Sequence, residues 1–149
     1  MQAKRQELMP TMPTVGENIR HYRQERGLNV SQLAKKVGTA ESAIRHYEKN
    51  ERTMSEEQLE KIACALDVSP LALRDYRIGS ARDLMGLMLQ LEETFGIVPD
   101  ENGKCLVLDH SAKNAQKLAQ AIQGWADIRR QLDAGEMTQE EYEDWKAKF

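Results

Sequence analysis

Histidine, cysteine and the carboxylates carry most catalysis and metal binding, and in this chain they are scattered. His21, His46 and His110 stand far apart, and no His or Cys pair has metal-ligand spacing. Asp109-His110 invites an acid–base reading, yet no nucleophile motif or glycine-rich phosphate loop accompanies it. Cys64 falls on the apolar face of a helix and Cys105 in a strand, so both are expected to be small buried residues. No enzyme, metal site or cofactor is expected. The chemistry that stands out lies between Gly27 and Asn50, where Arg45, His46 and Lys49 come close together. On their own they suit a solvated helix face as well as a binding one. The elements around them decide whether they do more.

Those elements are short helices. Ile19, Tyr22 and Arg26 share one helical face, and Gly27 stops that helix. Asn29 and Gln32 form a capping box for the next, with Leu28 and Leu33 as its staple. That helix runs through Ala34 and Val37 to Gly38. A third begins near Ala40 or Glu41, buries Ala43, Ile44 and Tyr47, and ends near Asn50. Gly38-Thr39-Ala40 is therefore a tight turn between two short helices. Ala34 is small where the helices cross, Gly38 permits the turn, and Ile44 faces inward. The outer face of the third helix is left free to enter a major groove. Ser55 to Gln58 reads as a capping box opening a fourth helix with Leu59, Ile62, Ala63 and Leu66. Ser69-Pro70 starts a fifth, Leu71 to Tyr76.

The second half of the chain reads differently. Arg77-Ile78-Gly79 marks a boundary. Ser80 and Asp83 open a helix ending at Gly96, whose set Leu84, Met85, Leu87, Met88, Leu89, Leu91 and Phe95 is too wide for one core-facing stripe. Ile97 to Glu101, Asn102-Gly103 and Lys104 to Asp109 predict a hairpin with a type I′ turn, and Pro99 fits an edge strand. Ser111 is expected to cap the longest helix, ending near Gly135, with Ala115, Leu118, Ala119, Ile122, Trp125, Ile128 and Leu132 on one face. Thr138 and Glu141 cap a last helix that places Tyr142, Trp145 and Phe149 together.

The 149 residues suit one domain or two small ones, and 40% apolar content supports a real core. No apolar run approaches membrane length, and the first residues do not read as a secretory signal. Two cysteines are too few for a disulfide scaffold, so a reducing cytoplasm is expected. The net charge of −3 argues against a nucleic-acid partner until its distribution is read. Residues 1–14 and 15–77 carry +1 each, and residues 78–149 carry −5. A DNA-binding face must come from the N-terminal half, by local placement of charge.

With these residues in hand, the segment from Val15 to about Tyr76 resembles the five-helix DNA-binding domain of the lambda/434 repressor and Cro family, the Xre-like regulators. The matching residues are Arg20 to Arg23 with Gly27 to Asn29, Gln32 to Gly38, Ile44 to Asn50 and Ile62 to Ser69. The likeness covers under half of the chain. The implied architecture is mainly α: a flexible arm over residues 1–14, the helix-turn-helix domain over 15–77, and a small α+β segment for dimerisation or interaction over 78–149.

The resemblance implies roles for single residues. Glu41, Ser42, Arg45 and His46 take the groove-facing positions, with Lys49 at a phosphate or groove edge and Arg52 against the backbone. Arg45 has the planar fork for guanine O6 and N7, Glu41 can accept from cytosine N4, and Ser42 serves either kind of base. Arg23 and Glu48 match a structural ion pair. Two positions depart from the pattern. Val30 replaces a common phosphate-clamping glutamine, so contact there rests on backbone N–H groups. Ala40 replaces a common cap, leaving Thr39 to cap the third helix or no cap at all; Thr39 and Val30 complete the DNA-contacting set. The implied function is a sequence-specific transcriptional regulator, a repressor on a palindromic operator of double-stranded DNA, acting as a homodimer through 78–149. An antitoxin or immunity-type regulator whose second half holds a protein partner is the alternative.

Overall fold

The structure is a computed structural model that describes residues 12–149. The expectation of an arm falls mostly on residues outside that range. Thr14, assigned to the arm from sequence, is instead the N-cap of α1 (Val15–Glu25), in a capping box with Glu17. The described chain separates into two compact units. One holds residues 12–77 together with 143–149, and the other holds 78–142.

The first unit is built from α1, α2 (Val30–Val37), α3 (Glu41–Glu48), α4 (Glu56–Leu66) and α5 (Pro70–Leu73). Local chemistry sets the ends. Asn29 and Gln32 form their reciprocal cap on α2, and Gly38 closes it in the left-handed conformation. Asn50 and Asp67 also take positive φ, after α3 and α4. Ser55 caps α4 through the Gln58 N–H. The reciprocal half of that expected box is absent, because the Gln58 side chain accepts from the Tyr47 hydroxyl at 2.5 Å. The fifth helix is shorter than expected: Arg74 is extended, and its guanidinium reaches Glu56 at 2.6 Å.

Ile19, Leu33, Ile44, Ile62, Leu66 and Leu73 are fully buried at the centre of this unit. Each contributes about 1.5–3 kcal/mol by leaving water. Cys64 lies outside this core. Leu59, Ile62, Ala63 and Leu66 make the inward stripe of α4, and Cys64 falls beside it and is exposed, against the expectation from sequence.

The second unit contains α6 (Ala81–Phe95), β1 (Ile97–Pro99), β2 (Leu106–Leu108) and α7 (Ala115–Asp133). The strands pair antiparallel, Ile97 with Leu108 and Pro99 with Leu106. The turn is wider than type I′. Asp100 takes both the Gly103 N–H on its carbonyl and the Lys104 N–H on its side chain, and only Gly103 has positive φ. Cys105 therefore sits in the turn, exposed, rather than buried in a strand. Ser111 does not cap α7. Its N–H donates to Asp109 Oδ1, and the helix starts at Ala115 after Asn114, without a side-chain cap.

This unit has almost no interior. Among its apolar residues only Ala115 and Tyr142 are buried, while Leu84, Met85, Leu87, Leu89, Leu106, Val107, Ile122 and Trp125 are exposed. The Trp125 indole N–H donates to the Tyr142 hydroxyl at 2.8 Å. No helix among the described residues is long and apolar enough to cross a membrane.

The last helix, α8 (Gln139–Lys148), begins with the Thr138–Glu141 capping box. Its residues 143–149 pack with the first unit, whereas the division read from sequence kept them with 78–142.

Candidate nucleic-acid interface

The helix-turn-helix geometry rests on backbone fit. Ala34, 2% exposed, lets α2 and α3 approach, and Gly38 (φ 75°) turns the chain between them. Thr39 N–H bonds back to Ala34 carbonyl at 2.9 Å, so the turn closes on α2. Thr39 does not cap α3; Ala40 is the N-cap and supplies no side-chain bond. Ile44 and Tyr47 are buried at 0% and 3%, which fixes which side of α3 faces out.

That outward side carries Glu41, Ser42, Arg45, His46 and Lys49, all exposed. Arg45 Nη2 lies 3.5 Å from Glu41 Oε2, one turn earlier on the helix. His46 Nδ1 meets Glu51 Oε2 at 2.8 Å, and Lys49 lies 4.0 Å from the other oxygen of the same carboxylate. These exposed pairs hold the side chains weakly, at about 0–1 kcal/mol each, and a polyanion can displace them. Arg52 is exposed in the loop after α3. Val30 opens α2 but its side chain is half-buried against the core, so any contact at this position falls to main-chain N–H groups of the helix start.

Behind the exposed face, Arg23 and Glu48 join α1 to α3. Nε and Nη2 of Arg23 donate to the two Glu48 oxygens at 2.5 and 3.0 Å. Nη1 donates to the Leu28 carbonyl at 2.9 Å, so the guanidinium also ties down the loop before α2. Both side chains are close to nine-tenths buried. The Glu48 carboxylate holds the Arg23 charge above its usual range, against the opposing effect of burial.

A second bracket was not read from sequence. The Asn50 side chain accepts from Gly16 N–H at 3.0 Å and donates to Thr14 Oγ1 at 2.8 Å. It sews the end of α3 to the start of α1. A Cβ on Gly16 would lie 2.4 Å from the Tyr47 carbonyl oxygen, so the approach needs glycine. The signal is available in part: Asn50 marks the end of the third helix in the sequence, but its reach to Gly16 depends on tertiary placement.

The match to known proteins falls on this arrangement. A family model described as helix-turn-helix matches residues 19–73. Residues 19–73 are a helix-turn-helix domain. Over 62 residues the chain is 42% identical to the HTH-type transcriptional regulator SinR of Bacillus subtilis (strain 168), which covers 41% of this chain and 56% of that protein. The chain thus spans about half the length of this curated relative. A crystal structure of SinR in complex with DNA shares 40% identity, covering 42% of this chain and all of that one, with a TM-score of 0.40. The P22 c2 repressor in complex with a synthetic operator shares 31% identity, covering 43% and 97%, with a TM-score of 0.41. The second unit lies outside the matched residues 19–73.

Proposed function

We propose that this chain is a sequence-specific DNA-binding transcriptional regulator of the cytoplasm, a repressor that occupies a palindromic operator as a homodimer. One observation carries the reading: α3 is pinned from behind by Ile44, Tyr47 and the Arg23–Glu48 pair, while Glu41, Ser42, Arg45, His46 and Lys49 all face out. A helix so held presents base-reading side chains without having to order itself on binding. Arg45 reads guanine, Glu41 and Ser42 select neighbouring bases, and Lys49, Arg52 and the main chain at Val30 and Thr39 meet phosphates. The name of the SinR relative supports transcriptional regulation as the task.

The homodimer is supported by the second unit. Its exposed leucines, Met85 and Trp125 form apolar surface that a monomer leaves uncovered. Two linked domains gain affinity over one by effective concentration. The acidic balance of residues 78–142, a net of −5, keeps that unit off the DNA. The same bare surface also suits the antitoxin-like alternative, in which a different protein covers it.

Selection of the full chain against a random duplex library tests the reading. The expected result is enrichment of an inverted repeat with guanine contacted in each half. Binding without any sequence preference would overturn it. Sedimentation of the free full chain separates the homodimer from a hetero-partner, by a two-fold or single mass at micromolar concentration.

A further inference from the structure

Residues 143–149 meet the helix-turn-helix unit through several kinds of contact. Ala147 is 3% exposed and belongs to the same core cluster as Ile19, Leu66 and Leu73. Its carbonyl accepts from Ser69 N–H at 2.8 Å. That carbonyl lies in the last turn of α8, where C=O groups lack partners within the helix. Asp144 Oδ1 accepts from Arg26 Nη2 at 2.9 Å. Lys148 Nζ lies 2.9 Å from Asp144 Oδ2 and 3.1 Å from Asp67 Oδ2.

The receiving side is itself braced. Arg26 also donates to the carbonyls of Leu66 and Asp67, at 2.9 and 3.1 Å. One guanidinium therefore spans the end of α4 and the closing part of α8. Asp67 holds a left-handed conformation at the end of α4, and its carboxylate faces Lys148. The small Ala147 side chain is seated in the apolar core cluster that includes Leu66, Val68 and Leu73, and Arg26, Asp67 and the Ser69 N–H supply the polar contacts to the same segment. None of these contacts involves Glu41, Ser42, Arg45, His46 or Lys49.

We propose that this surface is a docking site for a helix C-terminus, with residues 143–149 of the same chain as its occupant. The DNA-binding unit is then a split module. Residues 12–77 are one piece, 143–149 the other, and the 78–142 unit is an insertion tethered at both ends. The family match, residues 19–73, includes neither the closing segment nor the insertion.

The test uses thermal unfolding and amide exchange of the full chain, neither of which depends on DNA. A variant lacking 143–149 should melt lower by about 4–8 °C or more. The Ser69 amide, protected in the intact chain, should exchange at least tenfold faster. Ala147→Glu should reproduce both effects without shortening the chain. A synthetic peptide of residues 137–149, which keeps the Thr138–Glu141 cap, should restore the shortened variant when added at about millimolar concentration. An unchanged melting point and unchanged Ser69 exchange in both variants would overturn the proposal. So would equal rescue by the peptide carrying Ala147→Glu, since the seat would then not be selective.

Discussion

Arg45 and Lys49 sit one turn apart on α3, and their chemistry differs. Arg45 presents a fork and is expected to discriminate; Lys49 presents a point charge and is expected to attract. Arg45→Ala should cost about 1–3 kcal/mol at the preferred site and relax one base pair, measured by competition among single-base variants. Lys49→Ala should weaken all sequences alike and lower the salt slope by about one. Glu48→Ala acts through stability instead. It strands the Arg23 guanidinium, whose side chain is 11% exposed, and removing one partner of such a pair typically costs about 3–5 kcal/mol. The melting temperature should fall before any DNA is added; an unchanged value would mean that water already serves Arg23.

At the scale of elements, two glycines in the first unit make contrasting demands. Gly38 has positive φ but open space where a Cβ would go, so Gly38→Ala meets only the backbone cost, about 1–2 kcal/mol. Gly16 has a crowded site, with backbone oxygens of Tyr47 and Glu48 at 2.4 and 2.8 Å from a built Cβ. Gly16→Ala must push α1 from the end of α3. Denaturant titration should rank it as the more harmful change, and DNA affinity should fall further than stability alone explains.

The same scale shows what sequence could and could not tell. Caps at Asn29, Ser80 and Thr138 were legible because each bond spans three residues. Ser111 misled because the Asp109 carboxylate engages both its hydroxyl and its N–H, and Asp109 is itself held to Gly96 across the hairpin. The Asn-Gly turn misled for a similar reason: the Asp100 carboxylate gathers the Lys104 and Cys105 amides and widens the loop. Arg23 with Glu48 was legible through family resemblance alone, since 25 residues separate them. Asn50 on Gly16 and Asp144 on Arg26 had no local signature.

At the scale of the whole molecule, the bare second unit and the closing segment each give a prediction. Leu89 is 57% exposed on α6, so a charge there disturbs little of the protomer. Leu89→Lys should leave the melting of the helix-turn-helix unit intact and shift the sedimenting mass from two-fold to single. A retained two-fold mass would place the interface elsewhere. Asp144 gives a pH signature. Lys148, then Arg26, hold its carboxyl below the usual aspartate range. A group with a lowered folded pKa stabilises above its unfolded value and loses that contribution as pH falls through the folded one. Wild type should therefore melt above Asp144→Asn at neutral pH, and the two curves should converge on acidification below about pH 4.

The seating of residues 143–149 also orders events during synthesis. Arg26 and Asp144 lie 118 positions apart. At about 5–20 residues per second, the ribosome needs on the order of several seconds to make the intervening 78–142 stretch. For about that long residues 12–77 exist without the segment that meets Ser69 and Arg26, and the place that Ala147 fills is open. The nascent domain is then at its most vulnerable to proteases and to a stray helix end from another chain. Synonymous codons that slow translation across 78–142 would lengthen that window without altering a single residue of the protein.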